Sequence, residues 1–181
     1  LTTYPHIMLD LETGGARPGC VIRSIGAVAF DFDGRPLGPS YYANIDGESC
    51  VAAGLTYDPL TMAWWGEQPE AEAALADKQL PIRSALEFFA AYIQATGTEE
   101  VCVWSHGAGF DIPITEAAMW ATGISIPWKF RNARDTRTML WLAERRGITV
   151  AVDRQGLRHQ ALDDAKTMAL RIMAIYQRLR E

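Results

Sequence analysis

Cysteine is scarce in this chain: Cys20, Cys50 and Cys102 are odd in number, widely spaced and form no Cys-x-x-Cys pair. That argues against a disulfide framework or a cysteine zinc site and favours a reducing compartment. No apolar run approaches the roughly 18 residues needed to cross a bilayer. Leu1 to His6 has neither the basic segment nor the apolar core of an export leader, so a soluble, unexported, cytoplasmic protein is expected. A basic excess is missing as well. Seventeen Lys and Arg against 22 Asp and Glu leave a net charge of −5, which argues against coating nucleic acid by bulk attraction. Internal repeats, low-complexity tracts and a linker long enough to split the chain are also absent. What is left, at 181 residues and 49% hydrophobic composition, is one domain, 1–181, able to bury a substantial core.

The charge that is present is unevenly spread. Residues 129 to 158 hold Lys129, Arg131, Arg134, Arg137, Arg145, Arg146, Arg154 and Arg158 against Asp135, Glu144 and Asp153. Such a stretch reads either as a phosphate-tracking stripe beside an acidic site or as solvated helix faces.

Hydrophobic periodicity orders the elements. Residues 6–12 read as a central strand, 13–19 as a glycine-rich loop, 21–30 as a second strand and 37–45 as a third, after a turn at Asp33-Gly34. Helices follow: one opened by Asp58-Pro59 and carrying Trp64 and Trp65, one from Pro69 to Ala76, and one whose buried stripe is Ile82, Ala85, Leu86, Phe89 and Ile93. Val101 to Trp104 is a buried strand, then come a helix from Ile112 to Thr122, a short strand over 126–130, and helices over 135–146 and 162–180. The order β-β-β-α-β-α-β-α implies an α/β fold, a mixed five-stranded sheet flanked by helices, with the first strand beside the fourth.

On the first strand, Asp10 and Glu12 are two residues apart and face the same way. Like charges so placed repel by roughly 2–4 kcal/mol at the effective dielectric near a protein surface. Something positive belongs between them, most economically a divalent cation held by oxygen ligands. Asp111 precedes a helix and reads as an N-cap or as a further ligand. Phe110 beside it is a core plug or a wedge at a site. In the last helix, Ala165, Met168, Ala169, Ile172 and Ile175 mark the buried stripe. Asp164 stands at its edge, while Asp163 aligns with the wet face as an N-terminal charge. His159 falls in the preceding loop, where it is either a surface residue or a group that reaches a water. Trp64 and Trp65 are candidates for base stacking, with one of the pair expected in the core. Arg131, Arg134 and Arg137 are candidates for phosphate contact, with Arg134 and Arg137 three apart on one helix edge.

Asp10-Leu11-Glu12-Thr13-Gly14, Phe110-Asp111 and His159-Gln160-Ala161-Leu162-Asp163-Asp164 together resemble the three motifs of the DEDDh 3′→5′ exonucleases of the ribonuclease H-like superfamily. Trp104-x-x-Gly107-x-x-Phe110-Asp111, with Thr61-x-x-Trp64-Trp65-x-x-Gln68, is similar to the branch holding phage exonuclease A and exodeoxyribonuclease VIII, whose members act on DNA or RNA. The resemblance implies a ribonuclease H-like fold and two Mg²⁺ or Mn²⁺ ions held by Asp10, Glu12, Asp111 and Asp164. It further implies His159 as general base and contacts to nucleic acid with a free 3′ end from Thr13, Trp64, Trp65, Phe110, Arg134 and Arg137; relatives are often homodimers, and the sequence leaves the oligomeric state open between monomer and homodimer. Two rival readings accompany it: a catalytically inactive nucleic-acid-binding module on the same fold, and a haloacid-dehalogenase-type phosphatase using Asp31 and Asp33 of Phe30-Asp31-Phe32-Asp33-Gly34.

Overall fold

The computed structural model describes residues 2–181, so Leu1 lies outside the described residues. Strand β1 (Tyr4–Thr13) pairs antiparallel with β2 (Ile22–Phe30), which pairs antiparallel with β3 (Ser40–Asn44). On its other side β1 runs parallel to β4 (Gly97–Ser105), and β4 is followed at the edge by β5 (Ala133–Asp135). The sheet order β3-β2-β1-β4-β5 makes β1 the central strand, as its apolar run on both faces demands.

Helices α1 (Gly47–Ala52), α2 (Pro59–Trp65), α3 (Pro69–Leu75) and α4 (Ile82–Thr96) fill the stretch between β3 and β4. Helix α5 (Asp111–Thr122) follows β4, α6 (Thr136–Arg145) follows β5, and α7 (Ala161–Leu179) closes the fold. Side-chain alternation divides the core in two. Ile7, Leu9, Leu11, Ile25, Ala27 and Val103 pack with Leu86, Phe89, Ile93, Ile114 and Ala118 of α4 and α5. On the opposite face Met8, Val28, Phe30 and Trp104 pack with Ala165, Ala169 and Ile172 of α7. Asp10 and Glu12 continue the Met8 face, so the row that is apolar under the body of α7 turns acidic where that helix begins.

The close approach of α7 depends on Gly26, the β2 partner of Asp10. A Cβ there would lie 2.2 Å from both Ala161 C and Leu162 N, so only glycine lets the helix start rest on the sheet.

Two local expectations are corrected. The strand expected over 126–130 is absent. Trp128 is buried there while Phe130 is 86% exposed, and a 3₁₀ turn (Phe130–Asn132) leads into the three-residue β5. Helix α1 adds an element to the sequence-derived order, with Asp46 capping it by accepting from Glu48 N and Ser49 N at 3.1 and 3.2 Å, the ordinary role of Asp before a helix.

Candidate active site

Asp10, on the α7 face of β1, is half-buried, whereas Glu12 further along that face is buried. The parallel ladder between β1 and β4 ends at Met8 and Trp104, which leaves the Leu11 N–H without a β4 partner. Asp111, at the start of α5 and buried, fills that place: its Oδ1 accepts the Leu11 N–H at 3.1 Å. Asp111 is therefore not an N-cap. The N-cap position is Phe110, which has no side-chain capping bond, and the carboxylate of Asp111 ties a helix to the central strand instead.

Helix α7 brings Asp164 and the preceding His159. Ligand atoms of Glu12, His159 and Asp164 all lie within 4.8 Å of one another. His159 takes a left-handed backbone (φ 59°), rare for a residue with a Cβ, and its N–H donates to Asp164 Oδ2 at 3.1 Å. The Trp64 ring stands edge-on to the imidazole with centroids 5.0 Å apart. Asp163 is more than a wet-face charge, because its Oδ2 accepts the Leu157 N–H at 2.8 Å. With Thr167 Oγ1 accepting from Gln155 N at 3.0 Å, it pins the loop before α7. That loop also carries Arg154, whose guanidinium pairs with Asp164. No sequence signal distinguished Arg154 from the other arginines of the basic stretch.

The electrostatics reflect the crowding. Burial first, then the charges of Asp111, Glu12 and Asp164, raises Asp10 well above the usual carboxylate range. Glu12 is pushed up to about 8 by burial and by Asp164 and Asp111, against the pull of Arg23 and Arg154. Asp111 is pushed up to about 7 by burial, although the Leu11 hydrogen bond opposes it. His159 is lowered by burial and Arg158, so its imidazole is neutral at neutral pH. Carboxylates whose charged form burial and mutual repulsion disfavour in this way are a donor set fitted to hard divalent cations, which ionise such ligands on binding.

Some expected substrate contacts are brought to this cleft and others are not. Phe110 and Arg137 line it beside Asp10, together with His106. Trp64 is 40% exposed next to His159. Trp65 is a correction: it is buried, and its indole N–H donates to Thr13 O at 2.8 Å, with Arg23 stacked over its ring. Helix α2 meets β1 with that side, so Trp65 is structural and cannot stack on a base. Thr13 is buried too, and its hydroxyl donates to Gly15 O at 2.6 Å, shaping the loop instead of offering a free hydroxyl. Arg134 and Arg137 do not share a helix edge, because Arg134 lies on β5 before α6 begins. Arg134 folds back on the carbonyls of Arg131 and Ala133 at 2.8 and 2.9 Å, and Lys129 and Arg131 are drawn to Glu100.

Asp31 lies just past the Phe30 end of β2, and Phe30 is the partner of His6 near the start of β1. This is the opposite end of the sheet pair from Asp10. Asp31 accepts the Asp33 N–H at 2.8 Å and pairs with Arg35, a turn closure that leaves no nucleophile for the phosphatase reading.

A family model described as the Rv2179c-like 3′-5′ exoribonuclease domain matches residues 5–176. No curated protein matches the sequence. Among solved structures, cell-death related nuclease 4 superposes with a TM-score of 0.64 at 17% identity, covering 99% of this chain and 64% of that one. The Mg²⁺- and Mn²⁺-bound Pop2p of S. pombe gives 0.63 at 18% identity, covering 97% and 84%. The nuclease domain of 3′hExo, a DEDDh family member bound to rAMP, gives 0.61 at 13% identity, covering 98% and 93%. The chain thus spans under two thirds of nuclease 4 and most of the other two. These likenesses establish the ribonuclease H-like fold.

Proposed function

Because the chain belongs to the Rv2179c-like 3′-5′ exoribonuclease domain family, a family of 3′→5′ exonucleases, we propose that its acidic cleft removes nucleoside 5′-monophosphates stepwise from the free 3′ end of RNA. The observation that carries this is the convergence of Asp10, Glu12, Asp111 and Asp164 from β1, α5 and α7 beside a neutral imidazole. Asp10, Glu12, Asp111 and Asp164 would hold two Mg²⁺ or Mn²⁺ ions. When bound, these supply an activated water and neutralise charge on the phosphoryl group and the departing 3′ oxygen.

The chain's own groups do the rest. His159 Nδ1 or Nε2 takes the proton of the attacking water, a task suited to an imidazole that is neutral at pH 7. Asp164 holds the His159 backbone in its left-handed turn through the 3.1 Å bond. Trp64 and Phe110 give apolar surface to the terminal bases, and Arg137 gives positive charge to a phosphate. The Thr61 to Gln68 pattern supports kinship with the phage exonuclease A branch, and the family description favours RNA as the substrate.

The test uses 5′-labelled single strands of RNA and DNA with Mg²⁺, Mn²⁺ or EDTA. A ladder shortening from the 3′ end, faster on RNA and abolished by EDTA, is expected. Intact strands under both metals would refute the reading.

A further inference from the structure

The cleft over Asp10 and Asp111, about 480 Å³, adjoins a second cavity of about 570 Å³ between α6 and α7. His106 and Arg137 line both, so the two cavities are neighbours across these side chains. The second cavity holds none of the four carboxylates of the site. Its walls carry Arg137 and Trp141 on α6, one helical turn apart, and Arg171 on α7. Trp141 is 56% exposed, where the outer face of an amphipathic helix would ordinarily be polar. The guanidinium of Arg145 lies 5.8 Å from its ring centroid. Glu144 is the acid of this lining. Among the described residues, none of Arg137, Arg145 and Arg171 has a carboxylate within ion-pair distance. In a chain of net charge −5, arginines without ion-pair partners around an open indole, next to the acidic cleft, have the chemistry of a single-strand nucleic-acid track.

We propose that the cavity between α6 and α7 is an upstream subsite for single-stranded RNA, with Trp141 stacking on an unpaired base and Arg137 and Arg171 flanking the phosphates that lead to the scissile bond. This rests on the exonuclease reading above. A base must leave its duplex partner to lie on the indole, so the subsite selects single strands. It also makes turnover depend on strand length, because a dinucleotide ends before it reaches Trp141.

The experiment measures kcat and KM on an RNA dinucleotide and on an RNA octamer for the wild-type chain, Trp141→Ala, Trp141→Phe and Arg171→Ala, with circular dichroism of each. In the wild type, the octamer is preferred. In Trp141→Ala, the ratio of octamer to dinucleotide kcat/KM falls about tenfold, carried by KM, and Trp141→Phe restores most of it. Arg171→Ala lowers the same ratio and weakens the salt dependence of the octamer KM. Ratios unchanged in both Trp141→Ala and Arg171→Ala overturn the subsite while leaving the exonuclease reading intact. A wild-type chain that cleaves neither substrate overturns the exonuclease reading and the subsite with it. If Trp141→Ala fails to fold, Arg171→Ala alone decides.

Discussion

Replacing Gly26 by Ala tests how the site is assembled. The added Cβ would meet Ala161 C and Leu162 N at 2.2 Å and Ala161 O at 2.5 Å. All three are main-chain atoms, so no neighbouring side chain can turn aside. Ordinary contact begins at 3.4 Å, and the start of α7 must therefore retreat by about 1 Å or the sheet must buckle by as much. Overpacking of this kind costs about 2 kcal/mol, which lowers Tm by roughly 4–8 °C in a domain of this size. The larger effect falls on catalysis. Asp164 rides on the first turn of α7 and His159 is hydrogen-bonded to it, whereas Asp10 and Glu12 stay on β1. A misplacement of that order costs about a hundredfold in rate. Thermal unfolding followed by circular dichroism, with kcat on a labelled RNA strand, reads both. A Gly26→Ala protein with unchanged Tm and kcat would refute the claim that this contact sets the position of Asp164.

Three further outcomes are expected. Asp10→Asn abolishes hydrolysis, yet raises the metal-free stability at pH 8 by about 2 kcal/mol, because a neutral amide replaces a carboxylate that must either bind a proton or bear the repulsion of its neighbours in the folded state; loss of both activity and stability would contradict this. Carboxylates raised in the folded state stabilise it fully below their ordinary range, and that contribution fades as pH climbs through the raised values, about 7 for Asp111 and about 8 for Glu12. Tm in EDTA should therefore fall steadily from pH 5 to 8 while Mg²⁺ flattens the decline, and a flat profile in EDTA would count against it. His159→Gly relieves the left-handed backbone, gaining up to about 1 kcal/mol, but slows turnover by roughly 10²–10⁴. If calorimetry shows metal binding lost to the same degree, His159 is a ligand and not a base.

Much of the site can be read without coordinates because its residues obey short-range periodicities. Alternation along one strand puts Asp10 and Glu12 on one face, and the helical repeat separates Asp164 from Asp163. Asp111 is legible as important but not in its role, since that depends on where β4 stops pairing with β1, a fact of register and not of local sequence. The choice between Trp64 and Trp65 likewise turns on which side of α2 meets the Thr13 carbonyl. Strand β5 escapes detection because its three residues, the exposed Ala133 and Arg134 and the half-buried Asp135, carry no apolar alternation, whereas the apolar 126–130 stretch imitates a strand while plugging the core with Trp128. Arg154 reaches Asp164 from a loop whose path is set by Asp163 and Thr167, contacts that no spacing rule anticipates.

The edge-on contact between Trp64 and His159 gives the protein a built-in optical reporter. A protonated imidazole quenches a neighbouring indole, and Trp64 is exposed enough for solvent and ligands to alter its emission further. The difference in fluorescence between the wild-type chain and Trp64→Phe isolates that one ring from the other five tryptophans. It would follow the ionisation of His159, and any ligand that comes between the two rings, in unlabelled protein and in real time.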